Sequence, residues 1–252
     1  MEITTAQWNR YIGILRKLDD YAYDAFLSKM QDCHLLDDFG NIVADIDDWG
    51  RKQLINSAYT IAAQSSEATA AVSAEMYSLM AEMQGKVIDV PELEPIPSIE
   101  DVAKTVNGVL KTSHNSNEMS SAVARLVKRT GVRTTRRNAR RDRAEFAWIP
   151  SGDSCAFCLA LASNGWQSVQ SADHQEHIHA NCDCTYAVRF DGVSNVEGYN
   201  PDEYRKEYYS ADGSDPTEKI NSIRRKYYDE NKDKINAQKR AAYALRTEES
   251  ND

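Results

Sequence analysis

Four of the five cysteines of this 252-residue chain fall within thirty positions, as Cys155-Ala-Phe-Cys158 and then Cys182-Asp-Cys184, with His174, His177 and His179 just before the second pair. Thiolate sulfur and imidazole nitrogen are the ligand types that a tetrahedral zinc ion takes. A C-x-x-C pair at a helix start presents two sulfurs to one ion, Asp153 or Ser154 is placed to cap that helix, and the positive helix end lowers thiol pKa values. Five candidates, Cys155, Cys158, His179, Cys182 and Cys184, compete for four places, and spacing does not choose among them. The expected cofactor is one structural Zn2+. Reduced buried thiols, or disulfides formed after release from the cell, are the other states open to such a cluster. Asp183 is expected to face solvent, His174 and His177 to lie outside the ligand set, and Cys33 to be a small buried apolar residue.

A catalytic zinc would keep one coordination position open and hold a general base nearby. His174-Gln-Glu176 offers the H-x-E of zinc deaminases. In that pattern the cysteine pair follows the H-x-E, whereas here C-x-x-C precedes it and no proline stands before Cys182. A closed, structural site is therefore expected, with no catalytic residues. A zinc-dependent enzyme acting on nucleic acid, nuclease or deaminase-like, is the alternative.

The second chemical feature is charge. The net charge of −9 conceals an asymmetry: residues 1–100 hold 17 acids and 7 bases, residues 101–149 hold 4 acids and 11 bases, and residues 150–252 hold 18 acids and 12 bases. Within the basic middle, Arg125, Lys128, Arg129, Arg133, Arg136, Arg137, Arg140, Arg141 and Arg143 recur mostly at three- and four-residue intervals, which places them on one broad helical face. Like charges this close repel, so an anionic partner is the natural reason for them. DNA phosphate, an acidic protein surface, and a solvated face partly neutralised by the chain's own acidic helices are the three readings. Phosphate contact is sequence-independent, and no base-reading motif accompanies the arginines.

The elements that position these residues are mainly helical. Trp8, Tyr11, Ile12, Leu15, Leu18, Ala22, Ala25 and Phe26 share one face of a helix running from Thr5 to Met30, with Thr4 or Thr5 as its cap. A second helix is expected from about 47 to 84, with Trp49, Leu54, Ala58, Ile61, Ala62, Val72, Met76, Leu79 and Met83 as its stripe and Gly85 as its stop. Residues 89–97, with three prolines, form a semi-rigid acidic connector. Helix resumes after Ser98 to about Leu110, and again from Ser116 to roughly Glu145, weakened around Gly131. Phe146-Ala-Trp-Ile and Tyr186–Phe190 read as short strands flanking the cysteines, and a further helix spans 218–245.

The fold class is thus mainly α: long N-terminal helices, a small α+β Cys/His module of zinc type, and a helical C-terminal tail. The expected division is 1–88, a linker at 89–97, 98–145 with the basic helix, a module at 146–200, and a polar tail at 201–252. No run of about 18 apolar residues exists to span a membrane, and the start lacks the pattern of a signal peptide, so synthesis and folding in a cytoplasm are expected.

The run from Trp148 to Gly165, followed by His177-Ile-His-Ala-Asn-Cys-Asp-Cys184 and a short strand, resembles the MuF-like minor capsid (phage head morphogenesis) proteins of tailed bacteriophages. Their "C-x-x-C … H-x-x-C-x-C" signature is matched in type by Cys155, Cys158, His179, Cys182 and Cys184. The resemblance covers about residues 100–200 and leaves the Tyr-rich tail unmatched. It implies a minor capsid protein, a structural virion component inside the head near the portal, made in the bacterial host cytoplasm. Its implied partners are the portal or major capsid protein and packaged double-stranded DNA.

Overall fold

The computed structural model describes residues 2–151, 155–168 and 184–249, with side chains through Ala237 and at Arg240. Among these, seven helices and five short strands follow one another, and the chain is mainly helical as expected. Strand β1 (Glu2–Ile3) leads into α1 (Thr5–Asp32). Thr4 is the cap: its hydroxyl accepts from the Gln7 amide at 3.2 Å while the Gln7 side chain accepts from the Thr4 amide at 3.0 Å. Trp8, Tyr11, Ile12, Ala22 and Phe26 of the expected stripe are buried, and Leu15, Leu18 and Ala25 are half-buried.

Helix α2 (Asp48–Met83) starts where the Asp47 carboxylate accepts from the Gly50 amide at 2.7 Å. It stops at Gly85, whose φ of 66° turns the chain while the Lys86 amide reaches back to the Ala81 carbonyl. Two stripe positions differ from expectation: Trp49 is 59% and Leu79 37% exposed. The reason is that α2 is packed by α1, α3 and α4, and its contact surface runs through small residues, Ser65, Ser66, Thr69, Ala70 and Ser73, that hydropathy does not mark.

Helix α3 (Ile99–Thr112) is capped by Ser98 and α4 (Ser116–Arg141) by Asn115. Helix α4 is not weakened at Gly131. The residue instead permits close approach, because a Cβ there would lie 2.7 Å from Ser73 Oγ and from Thr69 Cγ2 of α2. The helix also ends four residues before its expected limit. Arg143 takes a left-handed φ of 53° and the Ala144 amide bonds the Ala139 carbonyl at 2.9 Å, so the chain leaves the helix directly into β2 (Glu145–Ile149).

Strand β2 is the centre of a small sheet between β3 (Gln167–Ser168) and β4 (Thr185–Arg189), antiparallel to both. Phe146 lies opposite Val188 and Trp148 opposite Tyr186. Four of the five β2 residues are buried, a near-continuous apolar run that fits a strand covered on both faces. Between the strands lies α5 (Ala156–Ala162). Strand β5 (Asn195–Val196) pairs in parallel with β1, which ties the N-terminus to this module.

The tail contains a helix that hydropathy reading missed, α6 (Pro201–Ser210). Its signal was present: Asn200 caps it and Pro201 occupies the first turn. Helix α7 (Pro216–Glu249) is longer at both ends than expected. Two apolar clusters result. One joins the sheet and α5 to Trp8, Tyr11, Tyr77 and Met80, and the other joins Phe26, Met30 and Leu54 to Val102, Val106, Met119 and Val123.

Gly131→Ala should therefore destabilise the protein by about 1–3 kcal/mol, the usual penalty of overpacking. Thermal denaturation checks this, and a Tm equal to wild type would show that the two helices separate freely.

Candidate metal centre and basic face

Cys155 stands at the N-cap position of α5, with extended φ/ψ and no side-chain cap bond of its own. The expected caps, Asp153 and Ser154, lie outside the described residues. One helical turn brings Cys158 Sγ to 3.6 Å from Cys155 Sγ. That is far longer than a disulfide bond of about 2.05 Å, and close to the roughly 3.8 Å that separates two thiolates on one tetrahedral zinc with 2.3 Å Zn–S bonds. Cys158 and Cys184 are fully buried in the same apolar cluster, and Cys155 is half-buried at its edge. Among the described residues no group of three or more His, Cys, Asp or Glu side chains converges to hold a metal. His179 and Cys182, together with His174, Glu176, His177 and Asp183, lie outside the described residues. The geometry therefore brings together Cys155 and Cys158 of the expected set. Cys33 lies elsewhere, half-buried against the second cluster.

Residues that sequence reasoning overlooked fix α5 from the other side. The Tyr199 hydroxyl donates to the Ala162 carbonyl at 2.9 Å, and the Tyr199 ring stacks on Tyr204 of α6 at 5.9 Å. Burial raises the Tyr204 pKa, and its proximity to Cys184 acts in the same direction. Arg189 pairs with Glu145 at 2.6 Å and lies 4.7 Å over the Trp166 ring.

The nine basic candidates do not share one role. Arg143 is off the helix altogether, as its left-handed terminator. Arg133, Arg137 and Arg141 turn to the proline-containing connector, which runs extended along α4. Arg137 lies 3.5 Å from Glu92 and 3.2 Å from Glu94, and Arg133 lies 3.8 Å from Glu94. The Arg141 guanidinium donates to the carbonyls of Val90 and Asp89 at 3.0 and 3.1 Å, and pairs with Asp142 at 2.8 Å. Buried Asn138 clamps the same strap, accepting from the Glu92 amide at 2.9 Å and donating to the Glu92 carbonyl at 2.8 Å. Thr134 accepts from the Glu94 amide at 3.1 Å. Arg125, Lys128, Arg129, Arg136 and Arg140 lie on the remaining ridge, where Arg125 and Arg140 are exposed and the other three half-buried.

Asp142 anchors the end of this arrangement. Burial pushes its pKa up, but hydrogen bonds from Arg141 and from the Tyr77 hydroxyl, at 2.8 Å, outweigh burial and leave it lowered. Burial, then the bond to Asp142, raises the Tyr77 pKa.

Two outcomes follow. Asn138→Ala should destabilise the chain by about 1–3 kcal/mol by leaving the strap's peptide groups unpaired, with faster hydrogen exchange at the Glu92 amide. Because Asp142 is lowered, its contribution is present above the ordinary carboxylate range and is lost as pH falls below about 4. Asp142→Asn should therefore flatten the acid side of a stability–pH curve. An unchanged acid limb would show that Asp142 carries none of it.

Residues 2–211 match the VG15 protein family, a phage-associated family; α1 to α6 lie within the match and α7 beyond it. No curated protein and no solved structure matches the chain. No described helix is long and apolar enough to cross a membrane.

Proposed function

The chain belongs to the VG15 protein family and is phage-encoded, and from that premise we propose that it is a minor capsid (head morphogenesis) protein of MuF-like type. It is a non-enzymatic virion component, placed inside the head near the portal vertex and made in the host cytoplasm. The observation that carries this reading is the setting of the thiols. Cys158 and Cys184 are fully buried beside Trp148 and Tyr186, the surroundings of a staple rather than of an open coordination position. In this reading Cys155 and Cys158 hold Zn2+ with two of His179, Cys182 and Cys184. The ion supplies cross-linking, and the protein's residues supply the packed shell that orients it. Its partners are the portal or major capsid protein and packaged double-stranded DNA, with the outer ridge of α4 as the phosphate-facing element.

Mass spectrometry of purified mature particles should find this chain in few copies, and its absence from them would overturn the proposal. Elemental analysis should return one zinc per chain, and Cys158→Ser should lose the metal and loosen α5, read as faster hydrogen exchange there. A metal-free wild type with a protected α5 would remove zinc from the reading without touching the virion role.

A further inference from the structure

Two surfaces at opposite ends of α4 are complementary in chemistry. The first is the corner between α1 and α2. Its backbone is well tied: the Val43 amide bonds the Leu35 carbonyl at 3.0 Å, the Ile42 amide bonds His114 at 2.7 Å, and the Asp37 carboxylate accepts from the Phe39 and Asn41 amides. This fixed corner nevertheless presents Phe39 at 89% exposure and Trp49 at 59%. From Asp32 to Gly50 there are six aspartates and no Lys or Arg. Asp37 and Asp47 are used in the turn and the cap, while Asp32, Asp38, Asp45 and Asp48 are exposed around the aromatics.

The second surface is α7. It packs on α5 and α6, and every residue from Arg224 to Glu230 is exposed. Between Lys219 and Arg240 it holds eight Lys/Arg and three acids. Among the described residues Arg224, Arg225 and Lys226 form no ion pair, and Tyr227 and Tyr228 beside them are 46% and 43% exposed.

We propose that the acidic, aromatic corner of one copy receives the basic, tyrosine-bearing α7 of a second copy. Charge complementarity selects the orientation, and Trp49 and Phe39 offer ring faces to guanidinium and tyrosine. A corner already fixed by backbone bonds loses little freedom on binding. The 26 residues of α4, about 39 Å of helix, stand between corner and module within one chain, so the contact is made between copies. It joins two different surfaces and is therefore head-to-tail, closing into a ring or extending as a chain. Nucleic acid fits α7 less well, because Asp229, Glu230 and Asp233 interrupt the cations.

The test uses full-length protein in sedimentation velocity at about 0.05 M and about 0.5 M NaCl, conditions that differ several-fold in screening length. Wild type should associate at low salt and dissociate at high salt. Phe39→Ala/Trp49→Ala and Arg224→Glu/Arg225→Glu/Lys226→Glu should each weaken association about tenfold or more, with wild-type circular dichroism because all five positions face solvent. Mixing the two variants should restore a pair that stops at two copies, since each variant retains one competent surface. A wild type that is monomeric at both salts, association that survives both variants, or a mixture that forms no pair overturns the proposal. So does a monomeric protein whose charge-reversed α7 loses only binding to a fluorescent DNA duplex.

Discussion

The approach of α4 to α2 at Gly131 sets where everything else can go. With no Cβ at that position, the backbone of α4 sits against Thr69 and Ser73, and the surrounding contact is made by small hydroxyl-bearing residues, Ser65 and Ser66 on one helix and Thr130, Thr134 and Thr135 on the other. The Thr130 and Thr134 hydroxyls are satisfied by carbonyls one turn back, at 3.2 and 2.9 Å. Those of Ser65, Ser66 and Thr69 are buried with no hydrogen-bond partner among the described residues, while Thr135 faces the Tyr11 hydroxyl. Each such group costs free energy that closer packing must offset. The belt divides the apolar interior into two clusters, one under the helices and one under the sheet.

Because α4 is buried toward α2, its cations are confined to the rest of its circumference. The acidic connector meets one flank of them, yet the ion pairs are not what holds it there. Arg137 is 44% and Glu92 58% exposed at the side chain, and pairs of that kind contribute about 0–1 kcal/mol. Asn138 is fully buried and satisfies both peptide groups of Glu92, which is worth more and is directional. Pro91, Pro95 and Pro97 keep the strap extended without needing a partner strand. The charges choose the sign of the surface that remains, and the amide chooses the register.

What could be read from the chain was whatever depends on local rules. The cap at Thr4, the helix entry at Ser98, the glycine stop at 85, and the alternation of Phe146 and Trp148 against Tyr186 and Val188 all follow from spacing of a few residues. The C-x-x-C pair was legible for the same reason, since one helical turn brings the two sulfurs together. What was not legible depends on partners distant in sequence. A serine or threonine at a helix contact scores as polar, so the buried belt was invisible and Trp49 was assigned to a core it does not join. Glu92 and Glu94 lie about forty positions from the arginines they meet, and no periodicity connects them. Arg143 continued a basic pattern by type while its backbone had already left the helix.

The same division of labour bears on what a metal would do here. A sheet with strands of five, two and five residues is small for independent stability. The cluster beneath it, however, includes Trp8 and Tyr11 of α1 and Tyr77 and Met80 of α2, and the backbone of β4 is tied to α2 through Gln84, which donates to the Val188 carbonyl at 3.1 Å and accepts from the Phe190 amide at 2.7 Å. The sheet therefore takes its stability from the long helices. The seven-residue α5 is different: its N-cap residue, Cys155, makes no side-chain cap bond, and Tyr199 holds its far end. Cys155 and Cys158 sit in its first turn, at the end opposite Tyr199. In the proposed reading the ion anchors the start of α5 while the bundle stands without it, so metal loss acts locally and leaves the rest of the fold in place.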